Sequence, residues 1–189
     1  MMRQQKWIIG FILASFLITS CQQENSNNET NSDPLTSTAI TSNVDSNATA
    51  AAIKVFLKYL DIKDALVATD TEKCIAATTN FIAAIEQLQA SFPKDNKAYI
   101  YIDSLLAYSK KIDNAITIPN KRSMFSLLSN SMNQFLKSIE IKNAHIYHQF
   151  CPMALNDTGA FWLSQDQDIK NPYFGKEMLE CGETVDSLN

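Results

Sequence analysis

The sequence predicts a mainly all-α fold: an antiparallel four-helix bundle with a turn-rich C-terminal cap, which contains short helices and room for one short extended segment. Two observations lead to this prediction. Between residues 48 and 141 the apolar side chains recur with a period of about 3.6 residues. After Ile141 the composition changes, because Gly159, Gly175 and Gly182 are three of the four glycines in the chain.

Four apolar stripes define the helices. Within each stripe the apolar residues follow i, i+3, i+4, i+7 spacing, which is typical of one buried helix face. In chain order the stripes are Ile53-Phe56-Leu57-Leu60-Val67, Cys74-Ala77-Phe81-Ile82-Ile85-Leu88, Ile102-Leu105-Leu106-Ile112 and Phe125-Leu128-Met132-Phe135-Ile139. Cys74 lies on the second stripe, where we expect it to act as a small core residue.

The breaks between the stripes are short and carry helix-terminating or capping residues. They are Thr69-Asp70-Thr71 before the second helix, Ser91-Phe92-Pro93 after it, Asp95-Asn96 before the third and Pro119-Asn120 at the start of the fourth. Short connections place successive helices side by side in opposite directions, so an up-down bundle is expected.

The C-terminal region, residues 144–185, is predicted to be a compact cap on this bundle. Residues 144–153 have the composition of an extended segment, and residues 156–159 form a turn motif. Ser164 and Gln167 match a capping box, which would open a short helix ending before Asn171. Residues 176–181 are predicted to form one or two helical turns, with Gly182 just after them. The folded domain is thus expected to span residues 48–185.

Residues 1–20 are predicted to be a lipoprotein signal peptide. Arg3 and Lys6 precede an apolar stretch at 7–18, which is about a dozen residues long and shorter than the roughly 20 needed to span a membrane. The sequence ITSC at 18–21 fits a lipobox, so Cys21 is expected to be lipidated and to become the first residue of the mature chain. An Asp directly after the lipidated Cys would argue for retention in the inner membrane. Residue 22 is Gln, so the outer membrane is favoured. The protein is therefore expected in the cell envelope, anchored by lipid, on the periplasmic or surface face.

Residues 21–47 are predicted to be a disordered tether, because residues 22–33 contain no apolar side chain. Removal of Arg3 and Lys6 changes the formal net charge from −4 to −6. No basic patch is evident, which argues against nucleic acid as a partner.

Soft metal donors are concentrated in two short parts of the C-terminal region. The first contains His145, His148, Cys151 and Met153, and the second contains Met178 and Cys181. On a strand, Cys151 and Met153 would share a face, and on a helix Met178 and Cys181 would do the same. If the two parts meet, they form a site of two thiolates and two thioethers, with His148 as a further ligand. Such soft ligands select Cu(I), whereas Zn²⁺ has little use for Met.

Other interpretations of these residues stay open. Cys151 and Cys181 could form a structural disulfide, since the envelope is oxidising. Met153 and Met178 could be core filler, and both histidines could be surface groups. The interpretations overlap, because a disulfide would still leave the methionines and a histidine for a metal.

The C-terminal motifs resemble those of the domain of unknown function 3347 family. The matching runs are YHQFCPMA at 147–154, GAFWLS at 159–164, IKNPYFG at 169–175 and MLECG at 178–182, whereas the helical part matches in pattern. The family is associated with envelope lipoproteins and with the periplasmic adaptors of heavy-metal efflux pumps. The resemblance implies a role in copper or silver handling, with an efflux adaptor as a partner. It carries the Cys-Pro-Met motif onto Cys151 and Met153, and the Met-x-x-Cys-Gly motif onto Met178, Cys181 and Gly182.

These observations predict a non-enzymatic envelope lipoprotein that binds a soft metal ion such as Cu(I) or Ag(I). The chain has no nucleophile elbow, zinc-protease helix or phosphate-binding loop, so catalysis is not expected, although a Cys151–His148 pair is formally available. The alternative is a non-catalytic interaction module, docking on an envelope or efflux-adaptor partner and held by a Cys151–Cys181 disulfide. In that case Trp162, Tyr173 and Phe174 would be exposed anchors.

Overall fold

The computed structural model describes residues 39–188, in which four long helices precede a small antiparallel sheet. The helices are α1 (Ser46–Val67), α2 (Thr71–Ser91), α3 (Tyr99–Asn114) and α4 (Ile118–Ser138). As predicted, the chain is mainly helical, and no strand lies between residues 48 and 141. The predicted signal peptide, the lipobox with Cys21 and most of the predicted tether lie outside the described residues. No described helix combines the length and the hydropathy needed to cross a membrane.

Local chemistry explains where the helices begin. The Asp70 side chain accepts a hydrogen bond from the Lys73 backbone N–H and caps α2. Thr117 caps α4 in the same way through the Asn120 N–H, and Pro119 lies in the first turn. The helix α1 begins after Asp45, whose carboxylate accepts from two backbone N–H groups. These caps place the breaks near the predicted positions.

The buried face of α1 differs from the predicted stripe. Phe56 is buried as predicted, but Leu57 is 44% exposed, and Ile53 and Leu60 are only partly buried. The buried face is formed instead by small residues and by Val55, Tyr59, Ile62 and Leu66. The Tyr59 hydroxyl lies on this buried face and bonds there to Ser129 on α4.

The folded unit begins several residues before Ala48, the predicted start of the domain. Thr41 forms a backbone bridge with Lys142, and the Asn43 N–H donates to the Ile139 carbonyl at the end of α4. The Asn143 side chain also donates to the Ala39 carbonyl. Residues 39–45 thus join the folded unit, because their backbone groups find partners just after α4.

The C-terminal region forms a three-stranded antiparallel sheet, which the sequence did not predict. Its strands are β1 (Ile146–Cys151), β2 (Ala160–Ser164) and β3 (Glu183–Leu188), in the order β2-β1-β3. The predicted extended segment corresponds to β1. The strand β3 is mostly exposed and carries no clear apolar alternation, so its sequence gave little signal.

Of the two short helices predicted in this region, the first is absent, so that prediction is wrong, and the second is reduced to a single 3-10 turn. The Ser164 hydroxyl accepts from the Asp166 N–H two residues on, and the Gln149 side chain donates to the Asp166 and Gln167 carbonyls. These bonds occupy the groups that a first helical turn would need. Residues 176–181 contain only part of a single 3-10 turn, Gly175–Glu177, after which Met178 leaves helical geometry.

Candidate metal centre

The sheet brings Cys151 and Cys181 together. Cys151 is the last residue of β1, and Cys181 precedes β3 by two residues. Phe150 of β1 pairs with Glu183 of β3 in antiparallel register. The end of β1 and the beginning of β3 are therefore adjacent, and the two cysteines leave the sheet side by side.

The Cys151 and Cys181 side chains interact with each other, and we call these two residues the thiol pair. Both are free cysteines; Cys151 is fully buried and Cys181 is partly exposed. The pKa of Cys181 is raised to about 11, first by its hydrogen bond with Cys151, then by burial and by the charge of an ionised Cys151. The Met153 backbone N–H acts in the opposite direction. A metal ion binding here would have to displace the Cys181 proton.

The two methionines lie near the thiol pair in sequence and differ in exposure. The Met153 side chain is 47% exposed, two residues after Cys151, while its backbone N–H faces the Cys181 sulfur. Met178 is partly buried. It lines an open depression of about 430 Å³ together with Leu179, Glu180 and Cys181. The expectation that Met178 and Cys181 share a helix face fails because this segment is a turn, in which the Cys181 N–H donates to the Met178 carbonyl.

The structure does not bring His148 to the thiol pair. His148 and Cys151 are three residues apart on β1, so their side chains point to opposite faces of the sheet. The His148 ring stacks on Phe161 at 4.8 Å between ring centroids. Burial and the positive charge of Lys137 lower the pKa of His148, while Asp186 opposes them. His145 is exposed and has a positive φ just before β1.

Asn171 positions the segment that carries Cys181, and sequence reasoning missed its role. This residue is fully buried, and its side chain donates to the Cys181 carbonyl at 2.7 Å. The Asn171 side-chain oxygen accepts from the Tyr173 and Phe174 N–H groups, and its backbone N–H donates to the Leu179 carbonyl. In the sequence, Asn171 marked only the end of a predicted short helix, whereas its bond to the Cys181 carbonyl ten residues on is a tertiary contact.

Aromatic side chains form the core beneath the thiol pair. Trp162 is fully buried and Tyr173 is 5% exposed, with their ring centroids 6.0 Å apart in an edge-to-face arrangement. The Tyr173 hydroxyl donates to the Phe161 carbonyl on β2. Phe174 is partly buried against the same core. None of the three is a freely exposed anchor.

Across residues 39–188 no group of three or more His, Cys, Asp or Glu side chains is arranged to hold a metal ion. The nitrogen and oxygen ligands of a typical zinc site are therefore not gathered in this part of the chain. What the fold gathers is a pair of thiols, with two thioether-bearing residues in the adjoining turns. That donor set is sulfur alone, which suits a soft monovalent ion.

The family model described as "Protein of unknown function (DUF3347)" matches residues 55–144. The predicted resemblance is thereby confirmed over the helical part of the chain. The match starts within α1 and ends before β1, so it covers the helices and not the C-terminal motifs on which the resemblance was based. No curated protein and no solved structure matches the chain.

Proposed function

We propose that this chain, whose residues 55–144 match the DUF3347 family of unknown function, binds one soft metal ion, Cu(I) or Ag(I), at the thiol pair. Cys151 and Cys181 supply two thiolates, and Met153 and Met178 supply thioethers from the neighbouring turns. The single observation that carries the proposal is the register of β1 and β3, which brings the Cys151 and Cys181 thiols, from segments 30 residues apart in sequence, within range of each other.

The choice of a monovalent copper-like ion follows from the donors. Thiolate and thioether are soft ligands, and soft ligands favour Cu(I) over the harder divalent ions. His148 contributes no nitrogen here, because it lies on the other face of β1. The site is also reachable, since Cys181 and Met178 line an open depression at the surface.

The docking-module alternative is supported less well. It needed Trp162, Tyr173 and Phe174 as exposed anchors, and the first two are buried in the core beneath the thiol pair. A structural disulfide between the cysteines is the other part of that alternative. It competes with metal binding directly, because a disulfide leaves no thiolate.

We place this function in the cell envelope, where the lipobox and Cys21 would anchor the chain to the outer membrane. The family resemblance supports a role in copper handling or efflux, with an efflux adaptor as the partner. We also propose that α1–α4 form an antiparallel bundle, since α1 packs on α2, α2 on α3 and α3 on α4, and α1 also contacts α4.

Titration with Cu(I) tests the metal proposal. The full chain would be purified reduced and without air, and Cu(I) would be distributed between the protein and a competing chelator. Loss of an outer partner of a metal ligand typically costs about 10–100-fold in affinity, so Cys151→Ser and Cys181→Ser should each cost at least about 100-fold. Met153→Leu with Met178→Leu should cost less, about tenfold, and should leave the fold intact because side-chain volume is kept.

The matched control is Cys74→Ala. Cys74 is a buried cysteine of α2, so this variant removes one thiol and should keep the Cu(I) affinity of the parent. If the methionine double variant binds as the parent does, the methionines serve packing alone. If the reduced parent binds neither Cu(I) nor Zn²⁺ above background, the metal proposal is wrong.

Fatty-acid labelling tests the anchor. Cells producing the parent chain with a metabolic fatty-acid probe should yield a labelled protein in the membrane fraction. Cys21→Ala should be unlabelled, whereas Cys74→Ala should label as the parent does. Label on the Cys21→Ala protein would refute lipidation at this residue.

A further inference from the structure

We propose that the thiol pair is also a reversible thiol–disulfide switch, in which Cys181 reacts first with a small disulfide and Cys151 then displaces the adduct. The closed Cys151–Cys181 disulfide would shut the metal site. This consequence for copper rests on the proposed function, whereas the thiol chemistry itself does not.

The two cysteines differ in access, and this difference assigns their roles. Cys151 is 0% exposed and lies at the end of β1, in register with buried Ala160 of β2. Cys181 is partly exposed and lines the open depression of about 430 Å³ at the surface. A bulky disulfide such as oxidised glutathione can therefore approach Cys181, while Cys151 is reached only from Cys181 itself.

The backbone around Cys181 suits a residue that must shift during exchange. Residues 178–182 lie outside helices and strands, between the 3-10 turn and β3. The turn is held through the Asn171 side chain, which bonds to the Cys181 carbonyl and not to its sulfur. Cys151, in contrast, belongs to the strand ladder through its pairing with Ala160. Cys181, which attacks first, thus lies in a turn, and Cys151, which resolves the mixed disulfide, lies in a strand.

The exchange balances without a further reactant. The Cys181 thiolate, a minor fraction near neutral pH because the pKa of Cys181 is raised to about 11, attacks one sulfur of a disulfide RSSR in a slow first step, forming a Cys181–SR mixed disulfide and releasing RS⁻. The Cys151 thiolate then attacks the Cys181 sulfur, breaks that mixed disulfide and releases the second RS⁻. The two thiol protons are taken up as two RSH molecules, so the protein is oxidised by two electrons and RSSR is reduced. An excess of RSH reverses both steps.

Exchange with oxidised glutathione tests the assignment on the full chain. The reduced protein would be incubated with oxidised glutathione, and intact mass with peptide mapping would locate every adduct. The parent should lose two hydrogens and end with Cys151 linked to Cys181. Cys151→Ser should instead accumulate a glutathione adduct on Cys181, because no resolving thiol remains, whereas Cys181→Ser should remain unmodified at Cys151.

Two controls keep the result decisive. Cys74→Ala should react as the parent does, and peptide mapping separates any reaction at Cys21 from the reaction at the thiol pair. Cys151→Ala provides a second variant, in case a buried serine disturbs the fold. The assignment is overturned if the parent forms no Cys151–Cys181 bond, or if Cys151 in Cys181→Ser is modified as readily as Cys181 in Cys151→Ser.

Cu(I) titration of the reduced and oxidised parent tests the switch. Binding at the site should be present before oxidation, lost by at least about 100-fold after it, and restored by reduced glutathione. Equal Cu(I) affinity in the two states would overturn the switch. Disulfide formation in a protein that never binds Cu(I) would confirm the thiol exchange and reject the metal function, so the two failures are distinguishable.

Discussion

Gly182, the residue after Cys181, occupies a position that a residue with a side chain could not easily take. Its φ is +144°, a backbone conformation that residues with a side chain rarely adopt. A Cβ atom there would lie 2.8 Å from the Phe150 carbonyl oxygen and 2.8 Å from Cη2 of the buried Trp162 ring. Neither atom can move easily, because one belongs to β1 and the other to the aromatic core. The glycine therefore lets the chain turn from Cys181 into β3 at close range.

We predict that Gly182→Ala destabilises the fold by about 1–3 kcal/mol, through backbone strain and the two close contacts. It should also weaken Cu(I) binding, because the adjacent Cys181 is displaced. Urea unfolding measures the first effect and chelator competition the second. Glu183→Ala is the matched control, since Glu183 is exposed on the neighbouring position and should change neither quantity much. An unchanged unfolding midpoint for Gly182→Ala would contradict the prediction.

Among the elements, the connection from β2 to β3 is held by side chains and not by a helix. Gln149 on β1 bonds to the carbonyls of residues 166 and 167 at one end of the connection. Asn171 bonds to the backbone of residues 173, 174 and 181 at the other end. Two buried amide side chains thus replace the regular backbone bonds that a helix would have supplied, and they fix the position of Cys181.

We predict that Asn171→Ala costs about 2–4 kcal/mol, because it leaves the buried Tyr173 N–H and other backbone groups without partners. Thermal or urea unfolding measures the loss, and Cu(I) affinity should fall with it, since the Cys181 carbonyl loses its anchor. Asn80→Ala on the exposed side of α2 is the control and should be nearly neutral. If both variants unfold alike, Asn171 does not hold this segment.

Over the whole molecule, Tyr59 links the helices to the sheet. Its hydroxyl bonds to Ser129 on α4 at 2.8 Å and accepts the Leu163 N–H of β2 at 3.0 Å. Its ring stacks on Phe125 with centroids 5.2 Å apart. Burial raises the pKa of Tyr59 far above its ordinary value, although both hydrogen bonds oppose the shift. The contact between the helices and the sheet is therefore made by a tyrosine whose hydroxyl is neutral.

This junction gives a pH prediction. Below pH of about 10 tyrosine is neutral in the folded and unfolded chains, so its full contribution to stability is present. Above that pH the unfolded chain ionises while folded Tyr59 stays neutral, so stability falls as pH rises, by up to about 1.4 kcal/mol per pH unit for each buried tyrosine. Tyr173, whose pKa is also raised by burial, adds to the same loss.

We predict that Tyr59→Phe lowers the free energy of unfolding by about 1–3 kcal/mol at neutral pH, because it leaves the Leu163 N–H unpaired. The same variant should lose less stability than the parent between pH 9 and pH 11, a range set around the ordinary tyrosine pKa of about 10. Urea unfolding across this range measures both effects. The partly exposed Tyr101 supplies the control, Tyr101→Phe, which should follow the pH profile of the parent. Parallel profiles for Tyr59→Phe and the parent would reject the assignment.

Local sequence patterns predicted the four long helices correctly, but they did not predict the short elements of the C-terminal region. The apolar stripe of α4, for example Phe125, Leu128 and Met132, is buried as predicted, and Asp70 caps α2 where its sequence suggested. Long periodic segments repeat their signal over many turns. The capping box at Ser164 is a signal of only four residues, and it failed because the buried Gln149 side chain had already taken the carbonyls that a helix would use.

The residues of the candidate site could be predicted from the sequence, but their arrangement in space could not. Soft donors at Cys151, Met153, Met178 and Cys181 are visible in the sequence, and the structure pairs the two thiols. The exclusion of His148 follows from strand alternation, which the predicted extended segment at residues 144–153 already implied. The role of Asn171 depends on a bond to residue 181, and no spacing rule reaches that far.

The sequence by itself determined the four long helices, the caps of α2 and α4 and the set of sulfur donors, because each follows from side chains within a few residues of one another. Only the tertiary structure decided which face of α1 is buried, that β3 joins β1, and that Cys151 meets Cys181. These outcomes depend on partners distant in the chain: Ser129 for Tyr59, Glu183 for Phe150 and Asn171 for the Cys181 carbonyl. Long-range contacts of this kind form only when the whole chain folds, since each needs a partner positioned by other elements.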